Sequence, residues 1–247
     1  MRHLLTTAVF AAFALNASAA PVDLSALNLA GSAQLAGGDL QLTSGSGQAG
    51  AGWIKNAVST SASFSTTFSF SLQGQGFNGN MADGIALAFQ NKGNKAVGNG
   101  GADVGYWSLD GVGSIIQTWH NNTIGLSTNG VVQGVQSAGW NLGASQNVTG
   151  TETVSYNAAT NVLSMNGSFL DGSTGITHTA SDSAVVDLGS KFGSSMYLGF
   201  TGGTGGSYAD QRITGFEVSA VPEPESYAML LAGLGLVGCI ARRRKAA

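Results

Sequence analysis

Between residues 63 and 219 apolar and polar positions alternate in short runs, broken by clusters of Gly, Asn and Asp. Residues 63–72 place Phe68, Phe70 and Leu72 on one face of an extended strand, and residues 84–89 do the same with Ile85, Leu87 and Phe89. A period of two with one apolar face is the mark of a strand lying on a core. Shorter runs of the same kind occupy residues 123–128, 152–156, 196–200 and 212–219, and residues 161–169 follow a turn at 157–160. From residue 20 to 221 no window sustains the 3.6-residue period of a helix. Many short strands with turn residues between them predict an all-β fold, an antiparallel β-sandwich, with helix only in the two terminal segments. The glycine runs at 98–101 and 202–207 read as loops. Neither follows a strand and opens a helix, as a phosphate cradle would.

The two ends have a different physics. Arg2 and His3 precede an apolar stretch, residues 4–15, and Ala17-Ser18-Ala19 supplies a small-x-small cleavage site, so residues 1–19 read as a signal peptide. At the other end Pro222-Glu223-Pro224 cannot lie inside a helix, because each proline removes a donor and fixes φ. Residues 227–241 then carry no charge, and Arg242, Arg243, Arg244 and Lys245 follow. As a helix this run is about 22 Å long, short for a hydrocarbon core of about 30 Å. Its basic end should stay cytoplasmic, and a short span of this kind suits a temporary anchor. The block at 221–247 resembles the PEP-CTERM sorting signal of Gram-negative bacteria. The resemblance implies recognition by an exosortase, transient inner-membrane anchoring, removal of the tail, and release to the cell surface or matrix. One domain, residues 20–220, remains between the ends, long enough for a sizeable core.

That domain carries eleven acidic and five basic residues, a net charge of −6, with no basic patch to meet nucleic acid. The only cysteine is Cys239 in the tail, so the domain has neither disulfide nor thiol chemistry. His120 and His178 sit among polar residues and read as surface or loop histidines, and Asp103 and Asp110 as solvated turn residues.

Asp83 lies in Met81-Ala82-Asp83-Gly84 at the entrance of an apolar strand, where Asp-Gly is ordinarily turn chemistry. What surrounds it has a definite order. Residues 68–72 come first, then 82–89, then Gly100-Gly101 and Gly105-Tyr106, then Ile115-Ile116-Gln117-Thr118-Trp119-His120-Asn121. Residues 124–130, 154–163, 198–205 and 213–219 complete the series. Over residues 24–219 it resembles the legume-type (L-type) lectin domain, a concanavalin-like sandwich, or jelly roll, that binds sugar in a shallow loop site. The resemblance implies that Asp83 accepts from two sugar hydroxyls, that Gly101 donates a backbone N–H, and that Asn121 donates and accepts through its amide. The loop at 204–208, with Thr204 and Gly205, would shape specificity. It also implies a cis peptide between Ala82 and Asp83. Trp119 and Tyr106 read first as core residues, and either could offer an apolar face to a sugar.

The family's metal strand reads Glu-Phe-Asp-Thr, and here Ile115, Ile116, Gln117 and Thr118 stand in its place. Both metal carboxylates are gone, and Gln117 with Asn121 is a weak neutral remnant for an ion that wants six to eight oxygens. No calcium site is expected. Sandwich glycanases need two carboxylates across the bond, and no strand here alternates Glu with Asp. The reading is therefore an exported carbohydrate-binding protein whose partner is a glycan or exopolysaccharide, and not an enzyme. The alternative is a structural matrix protein with a lectin fold and no working sugar site.

Overall fold

The computed structural model describes residues 19–75, 80–119, 122–132 and 137–220. The signal segment and the sorting tail, with Pro222, Glu223, Pro224, Arg242, Arg243 and Arg244, lie outside the described residues, as do His120 and Asn121. The helices expected of the two ends fall there too.

Two antiparallel sheets face each other. In hydrogen-bonded order the first contains Ile176–Val185 (β13), Val162–Asp171 (β12), Asn147–Asn157 (β11), Phe64–Gly74 (β7), Ala209–Ala220 (β15), Asp39–Thr43 (β4) and Gln34–Ala36 (β3), with Ala20–Pro21 (β1) also paired to β15. The second contains Thr123–Ser127 (β10), Val112–Gln117 (β9), Gly84–Gln90 (β8), Ser195–Gly203 (β14), Ala49–Trp53 (β5) and Asn28–Gly31 (β2), with Val58–Ser59 (β6) beside β14. One five-residue helix, Leu188–Phe192 (α1), precedes β14; its period is too short for a sequence window to show.

The alternation explains the first sheet. Along β7, Phe64, Phe68, Phe70 and Leu72 are buried, while Ser65, Thr67, Ser69 and Ser71 face outward. Their hydroxyls pair across to β11, as in Thr67 with Thr153 at 2.8 Å. The inward rings meet those of the second sheet, with Phe68 and Phe200 edge-on at 5.2 Å between centroids.

Alternation explains less of the second sheet, because β8 and β9 are buried on both faces. Ile85, Leu87, Phe89 and Ile116 point into the sandwich, whereas Ala86, Ala88 and Ile115 join a second cluster with Trp53, Val104, Tyr106 and Leu109. The segment between β8 and β9 folds back over the sheet to make that cluster. Trp53 donates its indole N–H to the Ala96 carbonyl at 2.7 Å, fastening the segment down.

Candidate functional site

Asp83 sits at the mouth of β8 and is only 3% exposed. Main chain and one side chain hold it. Its N–H donates to the Gly203 carbonyl (3.0 Å), and its own carbonyl accepts from Thr118 N–H (2.8 Å) and Trp119 N–H (3.4 Å). The Gln211 amide donates to the carbonyls of Gly203 (3.0 Å) and Ala82 (3.3 Å). The Ala82–Asp83 peptide is cis, as the resemblance implied.

The ends of β8 and β14 bring Asp83, Gly101 and Gly205 together. A Cβ placed on Gly205 would lie 3.2 Å from Asp83 Oδ2 and 3.8 Å from Gly101 Cα. Gly101 has φ +62°, a conformation that favours glycine, and a Cβ there would meet nothing within 4 Å. Its open side faces away from the protein.

Two expected roles change. Gly101 N–H donates to the Thr204 carbonyl at 3.1 Å, so this donor ties the two loops together instead of pointing outward. Thr204 is a strut: its hydroxyl donates to Gly45 O (2.7 Å) and accepts from Gln48 N–H (2.9 Å), and its N–H donates to Gln48 O (2.9 Å). Gln48 and Gln211 are the positioning residues that sequence reasoning missed. Gln211 carried a signal, since it occupies an inward position on β15 between the buried residues Ala209 and Ile213. Gln48 lies in a glycine-rich turn and carried none.

Of the two aromatics expected first in the core, Tyr106 is there, fully buried with its hydroxyl 3.2 Å from Ser127 Oγ. Trp119 is instead 37% exposed at the rim beside Asp83. Asp103 closes a single 3-10 turn, Gly101–Asp103, and partial burial raises its carboxyl above the ordinary value. Asp110 pairs with Lys191 at 3.2 Å, away from this site. His178 is not a free surface histidine. It lies half-buried on β13, stacked on Trp140 with 4.1 Å between ring centroids.

The described residues do not fit a calcium ion. Ile115 is buried in the second apolar cluster, on the side of β9 where the family's carboxylate would stand. Gln117 spends its amide on the Ala102 carbonyl at 2.7 Å and is 2% exposed. Among the described residues no three His, Cys, Asp or Glu gather as a ligand set. EDTA is therefore expected to leave the melting temperature unchanged. A fall of several degrees would reveal a bound ion, since a tight ligand stabilises the fold by linkage.

The antiparallel two-sheet sandwich thus sets a recessed carboxylate, Asp83, among its end loops. Residues 108–229 match the legume lectin domain, and residues 220–245 match the PEP-CTERM protein-sorting motif. These matches support reading the chain as a PEP-CTERM protein with a legume-type lectin domain. Among solved structures it is similar to a lectin from Bauhinia forficata in complex with GalNAc, at TM-score 0.68 and 21% identity over 83% of this chain and 99% of that one. It is similar to the metal-free form of lectin I-B4 from Griffonia simplicifolia, at TM-score 0.66 and 21% identity over 80% and 94% of the two chains. Arcelin-5, a lectin-like defense protein from Phaseolus vulgaris, superposes at TM-score 0.67 and 17% identity over 80% and 93%. No curated protein matches the chain in sequence. Domain and fold together support a carbohydrate-binding, lectin-like protein, and the sorting motif supports export.

Proposed function

We propose that this protein is an exported lectin that binds a glycan or exopolysaccharide at the cell surface or in extracellular matrix, and that it does so without calcium. The observation that carries the reading is Asp83, whose main chain is fixed by hydrogen bonds and whose carboxylate stands beside Gly205, with the side-chain-free Gly101 next to it. A carboxylate offers two strong acceptors for vicinal hydroxyls, and glycines leave room for a bulky ring. Trp119 at the rim supplies an apolar face. Asn121 completes the set by position in the sequence. The backbone around Asp83 is held by Gln211, Thr118 and Gly203, protein groups that need no ion. The similar solved structures are lectins or lectin-like proteins, one in complex with GalNAc, which supports binding over catalysis.

The second reading is a matrix protein without a sugar site. It is favoured by one observation: Gly101 N–H and the Thr204 hydroxyl are both engaged inside the protein. A broad glycan array decides between the two. A hit that persists in EDTA supports the lectin, and silence across the array supports the matrix protein.

In this proposal the signal segment 1–19 is removed on export. The apolar run 227–241 holds the chain transiently in the inner membrane, with Arg242, Arg243 and Arg244 on the cytoplasmic side. An exosortase then reads Pro222, Glu223 and Pro224 and releases the domain. Among the described residues no helix is long and apolar enough to cross a membrane; the tail lies beyond them. Mass spectrometry of the secreted protein is expected to find no peptide from residue 227 onward. An intact C-terminus in the medium would refute the processing scheme.

A further inference from the structure

The end of the sandwich that holds Asp83 holds a second cleft. β12 ends there at Asp171, β13 begins at Ile176, and β11 begins at Asn147. The loop carrying Trp140 crosses this end of the molecule, between the edge strands β10 and β13. Its indole stacks on His178 with planes 5° apart and centroids 4.1 Å apart. The pair walls a cleft of about 330 Å³, which Asp171 and the 55%-exposed Ile176 also line.

This cleft is not isolated. A neighbouring groove of about 270 Å³ is lined by Asn80, Thr118 and Trp119, and the two share Asn141 and Ala144. Thr118 and Trp119 are the residues whose N–H groups meet the Asp83 carbonyl. The two clefts thus adjoin at Asn141 and Ala144, and the nearer one is lined by the Trp119 that neighbours Asp83.

We propose that the Trp140 cleft is a second sugar subsite, so that the protein takes a chain of neutral sugars and not a single residue. This rests on the lectin reading of the Asp83 site and extends it. Sugar rings present C–H faces that pack on aromatic surfaces, and a ring locked by stacking has little freedom to lose on binding. Ile176 extends the apolar wall, and the exposed Asn141 stands where the two clefts meet, its Oδ1 turned back to Ala144 N–H at 3.2 Å. Charge sets the ligand class. Among the described residues neither cleft is lined by Lys or Arg, while Asp171 lines the Trp140 cleft. Uronate or sulfated chains would meet the Asp171 carboxylate with no Lys or Arg among the described lining residues to offset it, whereas neutral chains meet no such repulsion.

The test titrates the full-length protein with neutral gluco-, galacto- and manno-oligosaccharides of one to six units, and with uronate chains of equal length. In the configuration that Asp83 accepts, affinity should rise roughly tenfold or more between one unit and four, the scale of one added aromatic contact. Trp140→Ala should abolish that rise and leave monosaccharide affinity as it was. Ile176→Asp changes an exposed residue, leaves the fold intact, and should cut only the gain with length. Asp83→Asn should weaken every length together. Affinity independent of length would overturn the second subsite while leaving the lectin reading standing. Equal losses for single sugars and chains in Trp140→Ala and Ile176→Asp would mark the stack as a clamp for its loop and overturn the subsite. Tighter binding of uronate chains would overturn the neutral class. No binding at any length would overturn the lectin reading and this inference with it.

Discussion

Raising the pH from 5 to 8 is expected to cost the folded domain about 3 kcal/mol through one residue, Glu152. It lies on β11 opposite Gly167 of β12 and Phe68 of β7, and it points into the sandwich with no solvent exposure. Neither carboxylate oxygen has a partner in hydrogen-bonding geometry. Burial pushes its carboxyl from 4.5 up to about 8, and the Ser114 hydroxyl from the opposite sheet acts weakly the other way. Above pH 4.5 the unfolded chain gives up this proton while the folded chain keeps it. Stability from this group is therefore complete below the unfolded value and falls as pH rises, levelling off only above the folded value near 8. The carboxyls of Asp23, Asp171 and Asp187 are shifted downward, so their linkage acts in a separate, more acid window.

Glu152→Gln removes the titration, and Glu152→Met removes the charge while keeping the length. Urea midpoints measured at pH 5, 6, 7 and 8 should fall steadily for the wild type and stay nearly level for both variants. At pH 8 Glu152→Met should be the more stable protein, since an apolar side chain in this place has nothing to desolvate. Parallel profiles for wild type and variants would show that water or a partner reaches the carboxylate.

Asp83→Asn is expected to weaken binding to any array hit about tenfold, or roughly 1–2 kcal/mol, because charge-assisted hydrogen bonds become neutral ones. The fold should survive. The bonds that set the Asp83 backbone run through Gly203, Thr118 and Gln211. Calorimetric titration of wild type and variant measures the difference, and a melt of each confirms that both are folded. Equal affinities would remove Asp83 from the site. A large drop in melting temperature with the same substitution would recast the carboxylate as structural.

By itself the sequence determined the architecture in its aromatic strands and the order of the site. In β7 residues 68, 70 and 72 are Phe, Phe and Leu and residues 67, 69 and 71 are Thr or Ser, so face and period were readable without any neighbour. Asp83, Gly101 and the 204–205 loop were legible as an ordered set. Other strands were not. β5 reads Ala-Gly-Ala-Gly-Trp and has no polar phase to contrast. β13 is an edge strand whose inward positions are His178, Ala180, Asp182 and Ala184, and Asp182 is spent accepting Leu126 N–H at 2.9 Å from β10.

Only the tertiary structure decided how the hydrogen bonds at the site are shared. Gly101 is bound to Thr204 and Thr204 to the 45–48 turn, and Gln211 reaches Ala82 from a distant strand. It also decided that Ile115 lies in an apolar cluster and that Trp140 meets His178. The physical reason is that side-chain period is a local property of one strand. Which loops meet at the end of a sandwich depends instead on closing contacts between residues far apart in the chain, and only the folded chain brings their donors and acceptors within reach.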